Sequence, residues 1–361
     1  MSNAAISASL LFIPNLAKDL GANDVQIGVI GAVYGIATFG SSYLFGRTSD
    51  VYDRNLIIRL GLFASAASFF LQVFTDPSFV LSFWASPWLL TVARGLAGFS
   101  IGVFPSALTA YVYESKNILG RFNSIGALGW SVGTFVAGLF AFYWNAFLLS
   151  SACFWLAFII SLTMGGVTSP HIEVPFFPKS VIKRNWHVYS SFLLRHVGAN
   201  CIWVVYPLYI ASLVPGVEVD KFWIGVTYAI NFASQFAIMP FMDRFKAKTL
   251  IYEGLVLSAV TFLIFTFAQD YLQLLPMQVL LGFSWSLIFV GSSLYLMQCN
   301  TEKATCSGIL NSVISLSMVI GSILGGIVAQ LFGYTATMYV ATVLTLFGLI
   351  IFRVGAERKP N

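Results

Sequence analysis

Runs of about 20 apolar residues, separated by short polar breaks, recur along the whole chain. An α-helix rises about 1.5 Å per residue, so each run is long enough to cross the ~30 Å hydrocarbon core of a bilayer. Of 361 residues, 58% are hydrophobic and only 9% are charged, whereas a soluble domain carries about 25% charged residues. The sequence therefore predicts an all-α integral membrane protein.

The apolar runs divide into twelve predicted transmembrane helices, with the limits 3–20, 25–46, 55–75, 88–113, 118–144, 146–167, 187–213, 222–242, 249–268, 272–298, 305–332 and 335–353. The longest break, 168–186, is rich in proline, and we interpret it as a cytoplasmic linker. It would join an N-terminal six-helix bundle at 1–167 to a C-terminal bundle at 187–361. Aligning Pro14 with Pro207 leaves helix 1 about seven residues short, so we expect it to be truncated and the true start to lie upstream of Met1.

Lysine and arginine are distributed asymmetrically between the breaks. Counted through twelve helices, Lys18 and Lys221 fall on one side of the membrane, and the other basic residues in the breaks and near the helix ends fall on the opposite side. By the positive-inside rule, this predicts a multi-pass protein of the plasma membrane with both termini in the cytoplasm. The net charge of +5 then reports topology and does not indicate a nucleic-acid partner.

The chain contains an internal repeat of six helices. Gly98-Phe99-Ser100 in the fourth predicted helix recurs as Gly282-Phe283-Ser284 in the tenth. The fifth and eleventh helices match at one constant offset, at Gly120 and Gly308, Asn123 and Asn311, and Gly133 and Gly321. Two repeats in parallel orientation place a solute cavity between the halves near the midplane. We therefore predict a monomeric secondary active or facilitative transporter of a small solute, with or without a proton, that works by alternating access.

Ionisable residues at membrane depth are functional candidates, because inserting one costs about 2.5 kcal/mol or more. Arg94 and Arg195 each lie roughly 10 to 12 Å inside a predicted helix, and no Asp or Glu lies near a midplane to balance them. This favours a neutral or anionic solute. His196 is the candidate for proton coupling, since the ordinary pKa of imidazole is near neutrality. The predicted substrate cavity comprises Arg94, Arg195, His196, Asn200, Trp203, Tyr228, Asn231 and Gln235.

The sequence offers little for catalysis. The chain has three histidines, and neither metal-ligand spacing nor a catalytic set can be assembled from them and the four cysteines. We therefore expect no enzymatic activity, no metal and no cofactor.

The segment from Gly46 to Asn55 resembles the signature of the major facilitator superfamily between its second and third helices. Gly46, Asp50 and Arg54 match that pattern, whereas Val51 and Asp53 depart from it. The resemblance implies two six-helix bundles and a transport function.

Three further segments extend the resemblance. Asp243-Arg244 is a degenerate second copy of the signature, with Met239 where a glycine would stand. Arg94 and Gly98 are similar to the family's Arg-x-x-x-Gly element, and Gly126, Gly129 and Gly133 to the glycine series of its antiporters. Trp130 replaces the proline of that series, which argues against drug/proton antiport. The degenerate signatures leave open a non-transporting membrane sensor or receptor that retains the fold.

A charged latch is the physical interpretation of the signature. Asp50 is expected to pair with Arg54 and to receive the partial positive charge of the next helix's N-terminus. Such a cluster would hold one conformation closed on the cytoplasmic side. The predicted gating residues are Gly46, Asp50, Arg54, Glu114, Arg121, Asp243 and Arg244.

Overall fold

A computed structural model describes residues 1–10, 13–22, 24–79, 81, 84–116, 118–137, 139–140, 142–165, 172–213 and 221–357. Within these residues every regular element is helical. The α-helices are α1 (Ser2–Leu10), α2 (Ile13–Asp19), α3 (Asp24–Val51), α4 (Arg54–Val73), α5 (Pro87–Val103), α6 (Pro105–Lys116), α7 (Leu119–Ala137), α8 (Tyr143–Leu162), α9 (Lys179–Trp203), α10 (Tyr206–Leu213), α11 (Lys221–Ile238), α12 (Ala247–Ile264), α13 (Leu274–Cys299), α14 (Lys303–Phe332) and α15 (Tyr334–Glu357). Three short 3₁₀ helices cover Met239–Arg244, Phe265–Phe267 and Tyr271–Gln273.

Eight helical segments in the described part are long and apolar enough to cross a membrane. They are Val29–Val51, Arg54–Val73, Pro87–Ser115, Tyr143–Leu162, Ala247–Phe267, Tyr271–Cys299, Lys303–Phe332 and Tyr334–Ala356. Along α15, the outward side chains of Tyr339, Phe347 and Ile350 are all more than half exposed, as a lipid-facing surface requires. The all-α membrane class is confirmed. The number of twelve spans stays a prediction.

Local signals explain several helix limits. α5 begins where Ser86 accepts a hydrogen bond from the Leu89 amide at 3.2 Å and Pro87 occupies the first turn. α4 begins where the Asp53 carboxylate accepts from the Asn55 amide at 3.0 Å. α14 ends at Phe332, directly before Gly333, whose φ of 82° lies in the left-handed region that glycine adopts without strain. α9 begins at Lys179, inside the segment predicted to be a linker, and that predicted boundary stays a prediction.

One compact unit combines residues Met1–Asn117, Ile125–Phe177 and Asn300–Ser315, and we call it unit 1. Its core packs α4 and α8 around three buried aromatic side chains, Phe69, Phe104 and Phe154. The first half of α14 therefore belongs with the N-terminal helices.

A second compact unit, unit 2, combines Ile118–Ser124, Pro178–Cys299 and Leu316–Asn361. Its core gathers Tyr206, Phe262, Phe265, Leu281 and Met338 from α10, α12, α13, α15 and the 3₁₀ helix that follows α12. Each unit thus includes a segment from the other half of the sequence, and both segments contain the start of a helix.

Candidate functional site: buried polar clusters in two helical units

Asp50 caps the first turn of α14. Its carboxylate accepts hydrogen bonds from the Ala304 amide at 3.1 Å and from the Thr305 amide and hydroxyl, both at 2.7 Å. The side chain is 1% exposed. Because the N-terminus of a helix carries partial positive charge and unpaired amides, this is a strongly favourable place for a buried carboxylate.

Three further charges surround this cap. Arg54 donates to Asp50 at 3.1 Å and forms a second, close ion pair with Glu114. Lys303 lies 3.4 Å from the other oxygen of Glu114, and its ammonium lies over the Tyr113 ring at 5.4 Å. Two acids and two bases therefore neutralise one another at the end of α3, where the buried members would otherwise be costly.

Gly46 and Gly308 let α3 and α14 approach closely. A Cβ atom at Gly46 would lie 2.7 Å from the Gly308 Cα, and one at Gly308 would lie 2.5 Å from the Ser42 carbonyl oxygen. A side chain at either position would separate the helices and pull Asp50 away from the α14 amides. Gly46 thus has a packing role beside the charged residues.

Asp243 occupies a similar position in unit 2, at the first turn of α7. One carboxylate oxygen accepts from the Gly120 amide at 2.8 Å, and the other is buried without a hydrogen-bond partner. A Cβ atom at Gly120 would collide with the Met239 carbonyl oxygen. The close contact between α7 and the 3₁₀ helix at Met239 therefore depends on Gly120. Met239 occupies the position that Gly46 has in the first copy of the signature, so α7 supplies the glycine here.

One detail of the predicted latch differs from the structure. Asp50 caps α14, whereas the next helix, α4, is capped by Asp53, so the expectation that Asp50 serves α4 is wrong. The reason is that Asp53 directly precedes α4 and reaches its first-turn amide locally. Arg121 is exposed on α7, and Arg244 lies over the Phe241 ring at 5.8 Å.

Arg94 lies in a polar cluster of unit 1. Its Nη1 donates to the side-chain oxygen Oε1 of Gln72 at 3.3 Å, and its guanidinium lies 4.1 Å from the centre of the Tyr34 ring. Arg94 is 2% exposed and Gln72 is fully buried. Arg94 Nε and Gln72 Nε2 are both buried without a hydrogen-bond acceptor.

Arg195 lies inside unit 2 and is bonded to two serines. Its Nε donates to Ser258 at 2.9 Å and its Nη2 to Ser284 at 3.4 Å. The guanidinium also lies 5.4 Å from the Trp285 ring, on which His196 stacks at 4.9 Å. His196 Nδ1 is buried without a partner. The structure thus brings Arg195 and His196 onto one tryptophan.

The predicted residues of α11 join a chain of hydrogen bonds in unit 2. Gln235 donates to Asn231 at 2.6 Å, Asn231 donates to the side-chain oxygen Oε1 of Gln278 at 3.0 Å, and Gln278 donates to the Tyr206 hydroxyl at 2.5 Å. Every member carries a neutral side chain. This series of hydrogen bonds, which we call the amide chain, can present amide and phenol groups to a ligand but no formal charge.

The remaining predicted cavity residues divide in two. Trp203 stacks on Tyr228, with ring centres 5.1 Å apart, beside the amide chain. Asn200 is buried and donates back to the His196 carbonyl oxygen at 2.8 Å, and a Cβ atom at Gly321 would lie 2.6 Å from the Asn200 Cβ. Asn200 therefore packs against α14.

Sequence reasoning missed Tyr34, Gln72, Tyr206, Gln278 and Trp285. One signal was available. The spacing that relates Gly98 to Gly282 also relates Arg94 to Gln278, so the repeat marks Gln278 as a polar position of equal standing. The three aromatic residues have no such mark, because aromatic side chains are common throughout the chain.

Long apolar helices that enclose buried ionisable side chains are typical of a multi-pass membrane protein with a functional interior. Residues 1–181 and 188–361 match the model of the Major Facilitator Superfamily, and the chain belongs to this family. The predicted family resemblance is confirmed. Members of this family carry small solutes, and the chain is a multi-pass protein of the plasma membrane.

Two curated proteins illustrate the similarity. The chain is 23% identical over 370 residues to the quinolone resistance protein NorA of Staphylococcus aureus (strain COL), an alignment that covers 97% of this chain and 92% of NorA. It is 27% identical over 173 residues to the multidrug resistance protein MdtG of Proteus mirabilis (strain HI4320), covering 44% and 43% of the two chains.

Among solved structures, the crystal structure of the human organic anion transporter MFSD10 (TETRAN) superposes with a TM-score of 0.75 at 16% identity. The match covers 97% of this chain and 96% of that one. At this identity the likeness establishes the fold alone.

Proposed function

We propose that this protein is a secondary transporter that moves a small organic solute by alternating access. It would use twelve transmembrane helices in two parallel six-helix repeats, with both termini in the cytoplasm. The observation that carries the proposal is that two aspartates, Asp50 and Asp243, each cap the start of a distant helix. Such caps are discrete contacts that are either made or released, as a bistable element requires.

The energetics of the Asp50 cap suit a switch. Hydrogen bonds to a charged group contribute about 1.5 to 3 kcal/mol each, so releasing the cap is unfavourable unless another contact offsets it. A solute that binds the released state more tightly shifts the population toward that state. The cap therefore keeps the empty protein in one conformation without locking it permanently.

Side-chain contacts support the repeat. Ser68 and Ser100 share a hydrogen bond of 2.8 Å in unit 1. At the position that the repeat makes equivalent to Ser100, Ser284 is bonded to Arg195. Arg94 contacts Tyr34 and Gln72, and the equivalent Gln278 contacts Asn231 and Tyr206. The two halves thus have polar clusters at equivalent positions of the repeat, and the clusters differ in charge.

The solute class follows from these charges. Arg94 and Arg195 are buried cations, and no carboxylate is bonded to either within the described residues. A neutral or anionic solute therefore fits better than a cation. The names of the relatives, which refer to quinolone resistance, multidrug resistance and organic anion transport, support an organic solute. His196 is the candidate for proton coupling, and facilitative transport is the alternative.

Flux into proteoliposomes tests the proposal. Purified protein in liposomes should give saturable uptake of an organic anion such as benzoate or of a neutral analogue, and an imposed pH gradient separates proton-coupled from facilitative transport. Empty liposomes are the control. Saturable binding without flux of any tested solute would contradict transport and would favour the sensor or receptor.

A further inference from the structure

The two buried arginines are satisfied to different degrees. In Arg195, both Nε and Nη2 donate to serine hydroxyls, and two aromatic rings flank the guanidinium. In Arg94, Nη1 makes one long bond to Gln72, and Tyr34 contributes its ring face and a side-chain hydrogen bond. Arg94 Nε has no acceptor. Arg195 therefore has the contacts of a structural residue, and Arg94 does not.

A second unpaired donor belongs to the same cluster. The side-chain oxygen of Gln72 accepts a hydrogen bond from Arg94, and the side-chain nitrogen of Gln72 is buried without a partner. Buried polar groups are nearly always hydrogen-bonded, and a buried charge needs a counter-charge or strong hydrogen bonds. Both unsatisfied atoms are donors, so the cluster lacks acceptors and negative charge.

We infer that Arg94, with Gln72 beside it, forms a subsite for the carboxylate of a small organic ligand. A carboxylate is acceptor-only, offers two oxygens, and matches the planar edge of a guanidinium. The guanidinium carbon of Arg94 lies 4.1 Å from the centre of the Tyr34 ring, and Arg94 Nε has no acceptor, so this N–H is the donor available for such a bond. This inference deepens the proposed function and rests on it for its role in transport, but binding itself is measurable without transport.

Benzoate and benzamide are suitable probes, because they have nearly the same shape and differ in charge. Thermal unfolding of the full-length protein in lipid nanodiscs should show a dose-dependent rise in Tm with benzoate and a much smaller one with benzamide. In Arg94→Gln, we expect the apparent affinity for benzoate to fall about tenfold or more, since a charged hydrogen bond is lost. Arg59→Gln is the matched control, because Arg59 bonds to the Ser161 and Leu162 carbonyls outside this cluster.

Gln72→Met is a second test variant. It leaves the charge of Arg94 in place and nearly keeps the volume of the glutamine side chain. We expect Gln72→Met to weaken benzoate binding several-fold. This variant tests the subsite in the case where Arg94→Gln does not fold. Equal stabilisation by benzoate and benzamide, no stabilisation of the wild type by benzoate, or unchanged benzoate binding in both variants would overturn the inference. Benzoate binding without any flux would reject the proposed transport and leave the subsite intact.

Discussion

Thr305 gives Asp50 two hydrogen bonds, one from its backbone amide and one from its hydroxyl, both at 2.7 Å. The acid ends one helix and the threonine begins another, far along the chain. This pairing makes the start of α14 depend on a single carboxylate. It also makes the role of Asp50 directly testable.

Asp50→Asn should reduce solute flux several-fold without preventing membrane insertion. Asparagine keeps the shape and one acceptor oxygen but removes the charge, and it weakens the cap by about 1 kcal/mol or more. Asp53→Asn is the matched control, since Asp53 is exposed and caps its own helix locally. Flux into proteoliposomes at equal protein content measures both variants. Wild-type flux in Asp50→Asn would show that transport does not need the charge of Asp50.

Gly46→Ala should destabilise the protein by about 1 to 3 kcal/mol, because the new methyl group would overlap the Gly308 backbone. Gly40→Ala lies on the same helix, and a Cβ atom there meets no atom within 4 Å. We expect the control to be neutral or slightly stabilising, since alanine favours a helix over glycine. Thermal unfolding in detergent distinguishes the two. Similar Tm values for both variants would argue against the close approach of α3 and α14.

Asp243→Asn should impair flux less than Asp50→Asn does. Asp243 accepts a single bond, from the Gly120 amide, whereas Asp50 accepts from two amides, a hydroxyl and Arg54. Asparagine keeps an acceptor for that one bond. Parallel flux measurements on both variants test the order, and a larger loss in Asp243→Asn would contradict it.

Gln278→Leu should lower Tm by more than Gln273→Leu. Losing the Gln278 side chain removes one hydrogen bond from Asn231, which keeps its 3.3 Å bond to the backbone oxygen at position 278, and one from Tyr206, and each buried hydrogen bond contributes about 0.5 to 1.5 kcal/mol. Gln273 lies in a 3₁₀ helix and makes an exposed bond to the Gln269 amide. Thermal unfolding of both variants provides the comparison. An equal effect would show that the amide chain adds nothing to stability.

Single cysteines test the orientation. In a background with the native cysteines replaced by serine, Lys179→Cys should be protected from an impermeant maleimide in intact cells, and Ser78→Cys should react. The physical reason is the asymmetric distribution of basic residues, which retains Lys/Arg-rich loops in the cytoplasm. Both positions are exposed, so access to the thiol does not limit labelling. External labelling at position 179 would reverse the proposed topology.

The membrane class and the family could be predicted from the sequence, because both depend on patterns along the chain. Apolar length predicts helices in lipid, and the residues around Asp50 form a recognisable signature. The partner of Asp50 was not predictable in the same way. A local rule assigns an aspartate to the nearest helix start, and here the tertiary fold brings α14 to it.

The candidate site shows the same division. Arg94 is conspicuous because a cation at membrane depth is rare, whereas Tyr34 is one of 15 tyrosines and carries no distinguishing pattern. The unsatisfied donors of Arg94 and Gln72 depend on side-chain geometry, which no sequence pattern encodes. Gln278 was the exception, since the repeat alone relates it to Arg94.

The composition of unit 1 has a consequence for biogenesis. Asp50 is synthesised early and residues 300–315 near the end of translation. The carboxylate therefore lacks its partners on α14 while most of the chain is made. During that interval Arg54 is the base that pairs with Asp50, and Glu114 pairs with the same guanidinium. Unit 1 can be completed only after α14 enters the membrane. A chain truncated before residue 300 therefore lacks the Ala304 and Thr305 amides that cap Asp50, although the N-terminal part of unit 1 has been made.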